Sequence, residues 1–137
     1  MRAQLTGDPL LSFEQYSAGN YTIGRGYDPG TLLADRGIGA QMEVRYGSLV
    51  PPGPRKLAWQ AFAFLDAARV SEAGRIPTLT GGRSLVSTGG GLRAALGDGA
   101  RLEAVLAVPL ERAGVPATRG HPRLLVSFAT RLWPWSF

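Results

Sequence analysis

The sequence has 137 residues, with no cysteine and a single histidine, His121, just before Pro122. Without cysteine there can be no disulfide, thiolate metal site or thiol nucleophile. One histidine also removes most zinc sites and Ser-His-Asp chemistry. No run of about eighteen apolar residues occurs, so no transmembrane helix is expected. No basic-apolar-small segment opens the chain, so no secretory signal is expected either. Lys56 is the only lysine, and the arginines are scattered singly from Arg2 to Arg131. A nucleic-acid face clusters its cations, so the net charge of +5 is weak support for nucleic-acid binding. Charged residues make up 18% and hydrophobic residues 45%, which excludes a disordered polar tail. With 19 glycines and 10 prolines, long uninterrupted helices are disfavoured.

Other catalytic and cofactor signals are missing as well. Gly24, Gly26 and Gly30 are spaced Gly-x-Gly-x-x-x-Gly, which is not a dinucleotide fingerprint, and no Gly-Lys-Ser/Thr occurs. These glycines fit a folded-back hairpin tip. No serine sits in a Gly-x-Ser-x-Gly elbow. Glu43 and Glu103 lie on polar strand faces with Arg45 and Arg101, where ion pairing explains them better than convergence on one glycosidic bond. The expectation is a protein that is not an enzyme and has no cofactor or metal.

What the sequence does contain is period-2 alternation. Ile38, Ala40, Met42, Val44 and Tyr46 alternate with Gly39, Gln41, Glu43 and Arg45. Leu102, Ala104, Leu106, Val108 and Leu110 alternate with Arg101, Glu103, Val105 and Ala107. Leu124, Val126, Phe128 and Leu132 lie opposite Arg123, Ser127 and Arg131, with Leu125 as the exception. Successive strand side chains point to opposite faces, so each segment has an apolar face and a polar one. Leu57 to Asp66 fits the pattern more weakly and is rich enough in alanine to be read as a helix. In Ser84 to Leu96 the Gly89-Gly90-Gly91 run disfavours a helix and suits a strand with a tight bend. These five segments are expected to be strands. Short turns (Pro51-Pro52-Gly53-Pro54 and Gly97-Asp98-Gly99) alternate with longer connections. An up-and-down antiparallel sheet then has its short turns at one end, the layout of transmembrane barrels. A soluble sheet with one wet face would alternate too.

The stretch LSFEQYSAGNYTIGRGYDPGTLLADRGIGAQM, continuing into EVRY, resembles the barrel of the haemolysin secretion/activation proteins (the ShlB/FhaC/HecB family), the transporters of two-partner secretion. The matching residues are Glu14, Tyr16, Gly19, Arg25-Gly26-Tyr27, Asp35, Gly37, Glu43 and Arg45. The resemblance implies an all-β chain forming the C-terminal part of a transmembrane barrel in the bacterial outer membrane, about six strands: Arg2–Asp8, Ile38–Leu49, Leu57–Ala68, Ser84–Leu96, Arg101–Leu110 and Arg123–Phe137. The amino-terminal periplasmic (POTRA) domains and early strands of the family pattern are not in residues 1–137. The implied function is export of an unfolded, haemolysin- or adhesin-like partner protein. The implied partners are that client, outer-membrane lipid and the remaining barrel strands. One rival is a barrel-assembly or translocation-assembly insertase, whose tip-to-strand spacing is typically longer than Asp28 to Gly37. The other is a soluble basic β-domain that binds nucleic acid.

The resemblance also implies site residues. The arginine of the Arg25-Gly26-Tyr27 loop folds back into the lumen and contacts an acid on the inner wall, here Asp66. Ala68 stands where the family pattern has glycine. Parity independently places Asp66 on the face of Gln60, opposite Leu57, Trp59 and Leu65. The opposing reading is a loop arginine in solvent. The ending WPWSF supplies Trp133, Trp135 and Phe137 as a barrel-terminal aromatic signal, with a bulge expected at Pro134.

Overall fold

A computed structural model describes residues 1–19, 23–73, 82–97, 99–113 and 118–131. The wall of the structure is an antiparallel sheet of six strands: β1 (Arg2–Gln4), β4 (Arg36–Ser48), β5 (Leu57–Ser71), β6 (Arg83–Leu96), β7 (Ala100–Pro109) and β10 (Arg123–Thr130), in that spatial order. Neighbours in space follow one another up and down, and the sheet does not close. Two short hairpins stand outside the wall: β2 (Tyr16–Ala18) with β3 (Leu32–Ala34), and β8 (Arg112–Ala113) with β9 (Thr118–Arg119).

The registers put the short connections, 49–56 and 97–99, at one end of the wall. Residues 5–35, 72–82 and 110–122 connect the strands at the other end. The first strand stops at Gln4 rather than Asp8. Thr6 ends it, because its hydroxyl accepts from the Asp8 N–H at 3.2 Å in a local turn, and Pro9 follows. The Ala-rich segment is a strand of 15 residues that runs on to Ser71. Trp133, Trp135, Phe137 and Pro134 lie outside the described residues.

One face of the wall is apolar and open. Met42, Val44, Leu65, Leu92, Leu106 and Val126 all lie on it and are exposed. Tyr46 and Trp59 pack on that face at the short-turn end, with ring centroids 6.1 Å apart. The other face carries the polar parity and the folded loop. Its apolar residues have specific seats. Phe62 and Phe64 lie over Gly91 and Gly89, where a Cβ would meet the ring atoms at 2.9 and 2.8 Å. The glycine run is therefore a flat bed for two aromatic rings within a continuous strand, not a bend. Leu125, the exception to parity in the last strand, packs against Phe62, Phe64, Val105 and Ala107.

A second apolar cluster joins the loop to the same face. Tyr16, Ala18, Ile23, Tyr27, Leu32 and Ala34 of the loop pack on Ala68, Val70 and Leu85 of the wall. Gly37 and Gly39 leave the room that the Tyr16 ring occupies. The loop is thus anchored by its own small core as well as by the charges at its tip.

Candidate functional site

Residues 23–31 form the loop tip. Gly24 and Gly30 have φ of 90° and 72°, a conformation that a side chain would strain. The Tyr27 N–H donates to the Gly24 carbonyl at 2.9 Å, closing a tight turn around Arg25 and Gly26. Gly26 is needed for space: a Cβ there would stand 2.9 Å from Ser87 Cβ and 2.9 Å from the Pro109 nitrogen.

The structure brings Arg25 and Asp66 together. Arg25 Nε donates to Asp66 Oδ2 at 3.1 Å and Nη2 to Oδ1 at 3.0 Å, a two-pronged guanidinium–carboxylate pair. The backbone N–H groups of Gly24 and Arg25 also donate to Oδ2, at 3.2 and 3.1 Å. Asp66 is 0% exposed and Arg25 5%. Four donors on one buried carboxylate satisfy its charge where water does not reach. The guanidinium lies over the Phe64 ring, its Cζ 3.4 Å from the centroid, so its faces are covered as its edge is bonded. Asp66 lies opposite Gln41 and Ser87, five positions below Ser71, so the tip reaches about 17 Å down the wall.

Glu43 is the partner that sequence reasoning missed. Its carboxylate accepts from Arg25 Nη1 at 3.1 Å, Arg45 Nε at 2.7 Å and Arg93 Nη1 at 2.7 Å. Arg93 also donates to Glu103 at 2.6 Å and stacks on Phe62, with Cζ 3.8 Å from the centroid. Glu103 therefore pairs with Arg93 on the neighbouring strand rather than with Arg101. Parity placed Glu43 on this face, but only the register shows which arginines it meets. Two stacked units result, Arg25 on Phe64 and Arg93 on Phe62, bridged by Glu43.

Tyr27 locks the tip from above. Its hydroxyl donates to a backbone carbonyl, with Val86 O at 2.9 Å and Glu111 O at 2.8 Å, and accepts from the Glu111 N–H at 3.0 Å. Arg123 Nη1 meets Asp28 Oδ1 at 3.1 Å on the far side of the tip. Beneath Gly26, Ser87 Oγ is fully buried with no hydrogen-bond partner among the described residues. Ser87→Ala should therefore fold as well as the parent or better, since an unpaired buried hydroxyl costs about 1–3 kcal/mol. Ser87→Leu should push Gly26 out of its seat. Comparing the denaturant midpoints of both variants tests this, and a large loss in Ser87→Ala would show that the hydroxyl is used.

At the rim above the wall, Asp35 fastens the other end of the loop. It accepts from the Ala73 N–H at 2.8 Å, the Leu10 N–H at 2.9 Å and Gln15 Nε2 at 3.1 Å. The Ala73 N–H, then Leu10 and Gln15, favour the ionised carboxylate and lower its pKa. A lowered folded-state pKa stabilises the protein above the unfolded value, about 3.9, and that contribution fades as pH falls through the folded value. Hydrogen exchange at Leu10 and Ala73, corrected for intrinsic rate, should stay slow from neutral pH down to about pH 4 and quicken below it. Asp35→Asn should remove the dependence. Protection unchanged by acid would refute the assignment.

Among the described residues, no cluster of three or more His, Asp or Glu could hold a metal ion. What the site does show is a loop tip held against the wall by the Arg25–Asp66 and Arg25–Glu43 pairs. A sheet that is apolar on one face and ion-paired on the other, with its own loop clamped to the polar face, fits the wall of a membrane β-barrel. Residues 1–94 match the model of the haemolysin secretion/activation protein family ShlB/FhaC/HecB, and this chain belongs to that family. It is the family of non-enzymatic outer-membrane translocators of two-partner secretion, each of which has a secreted exoprotein as partner. Comparison with curated proteins, and separately with solved structures, finds no match.

Proposed function

We propose that residues 1–137 form the C-terminal part of the translocator barrel, and that residues 5–35 are a lumenal plug locked by Arg25. The carrying observation is the buried Arg25 guanidinium, bonded through two nitrogens to Asp66 and a third to Glu43. An arginine buried this way fixes a loop in one position, because moving it would strand the buried Asp66 carboxylate without its cation.

Below the tip, toward the short-turn end, the inner face opens into a groove of ≈ 420 Å³ lined in part by Arg45, Gln60, Arg93, Arg101, Glu103 and Ser127. These side chains offer hydrogen bonds to an extended client, which suits passage of an unfolded chain. The remaining barrel strands and outer-membrane lipid complete the environment. The barrel then exports its partner without covalent chemistry.

Secretion of the partner by cells carrying Arg25→Ala is the test. The barrel should still reach the outer membrane, shown by its heat-modifiable migration, while the partner in the medium falls about tenfold or more. Arg25→Lys should restore little, because an ammonium cannot make the two-pronged bond. Wild-type secretion by Arg25→Ala would overturn the plug-lock reading.

A further inference from the structure

The apolar face of the wall carries very little charge, and where it does is informative. By parity, the outward positions of the six wall strands hold no Asp or Glu, and only two arginines, Arg36 and Arg69. The two lie together. Arg36 pairs with Ser71 and Ile38 with Arg69, so the arginines are diagonal neighbours on adjacent strands, about 7–8 Å apart at Cα. Arg36 Nε donates to the Thr6 carbonyl at 2.6 Å, which orients its guanidinium. Neither arginine has an acidic partner among the described residues.

Their height on the wall gives them a setting. From Trp59 to Arg69 the strand advances about 33 Å, or about 25 Å along the membrane normal at a tilt of about 40°. That is the height of a barrel's apolar band. Trp59 and Tyr46 mark one interface, at the short-turn end, and Arg36 and Arg69 mark the other. Short turns face the periplasm and long loops the exterior, so the arginines stand at the headgroups of the outer leaflet. An arginine is tolerated there, yet two like charges side by side still repel. A groove of ≈ 420 Å³ runs between them, lined also by Ala3, Leu5, Ile38 and Gly82.

We propose that Arg36 and Arg69 bind a phosphate of a phosphorylated glycolipid headgroup in the outer leaflet, with Leu5 and Ile38 against the adjoining acyl chain. Two guanidinium groups can each make paired hydrogen bonds to phosphate oxygens, and the dianion relieves their repulsion. The apolar lining selects a lipid over a free anion, and continuity with the lipid-facing wall makes the site reachable by diffusion within the leaflet. The site holds the wall to its lipid and takes no part in export, so its test is independent of secretion.

The experiment is native mass spectrometry of the complete barrel, released from detergent with one of three probes: bis-phosphorylated lipid A, the same lipid with both phosphates removed, or inorganic phosphate. The variants are R36Q/R69Q, R69Q and, as an inner-face control that removes one charge as R69Q does, R101Q. Heat-modifiable migration confirms folding. The parent and R101Q should retain lipid A equally, and R36Q/R69Q should retain about tenfold less or lower. If the double variant does not fold, R69Q alone should still show a loss of several-fold. Equal retention by parent and variants overturns the proposal, as does equal binding of the dephosphorylated lipid, which would leave only an apolar groove. Displacement of lipid A by inorganic phosphate at similar concentration would also overturn it, in favour of a free-anion site.

Discussion

Asp66→Ala is expected to release the loop tip and destabilise the folded barrel by about 3–5 kcal/mol, the cost of breaking a buried ion pair by removing one partner. The substitution removes the acceptor of four hydrogen bonds at once. Arg25 keeps Glu43, but that carboxylate already serves Arg45 and Arg93 and lies to one side of the guanidinium fork. Asp66→Asn keeps the shape and one acceptor oxygen, so it should lie between alanine and the parent. Arg25→Ala/Asp66→Ala should cost less than the sum of the single changes, because the second removal no longer strands a charge. Urea unfolding followed by heat-modifiable migration gives the energies, and labelling of a cysteine placed at Thr31 reports release of the tip. A midpoint and labelling rate like the parent's in Asp66→Ala would show that the pair holds nothing.

Residues 1–137 expressed alone in detergent-free buffer are expected to aggregate. The apolar face of the wall leaves Met42, Val44, Tyr46, Leu92 and Phe128 at least 60% exposed, a patch far larger than soluble monomers carry. The strands β1 and β10 are open edges of this sheet, and each presents unpaired N–H and C=O groups that template association. Without cysteine there is no disulfide staple, and the described residues hold no metal-ligand cluster. In a bilayer the edges are worse, since each unsatisfied group costs several kcal/mol there. Sedimentation of the expressed chain, with and without detergent, measures this. A monodisperse, cooperatively unfolding monomer without detergent would contradict the membrane assignment of the outer face.

The two faces of the wall were legible because strand parity is a local property. Met42 and Val44 must point away from Glu43 whatever lies beyond them, and the same rule put Asp66 on the inner face. Where parity looked imperfect, the missing information lay on other strands. Phe62 and Phe64 share a face with Gln60 and Asp66, which reads as a conflict until Arg93 and Arg25 are seen stacked on the two rings. Leu125 broke its own strand's alternation because the Phe62 cluster needed a fourth side. The hairpin of β2 and β3 left no periodic trace, as three residues are too few to show one.

The alternation of apolar and polar residues, the lack of disulfides, and the family-like loop around Arg25 were therefore determined by the sequence alone. Each depends on residue identity and near neighbours. Only the tertiary structure decided that Glu43 is shared by three arginines, that Glu103 belongs to Arg93, that the Tyr27 hydroxyl caps Glu111 and that Ser87 lies unpaired beneath Gly26. It also set Arg36 beside Arg69. These contacts depend on the register between strands and on how far the loop descends, and both are set by packing between residues distant in sequence.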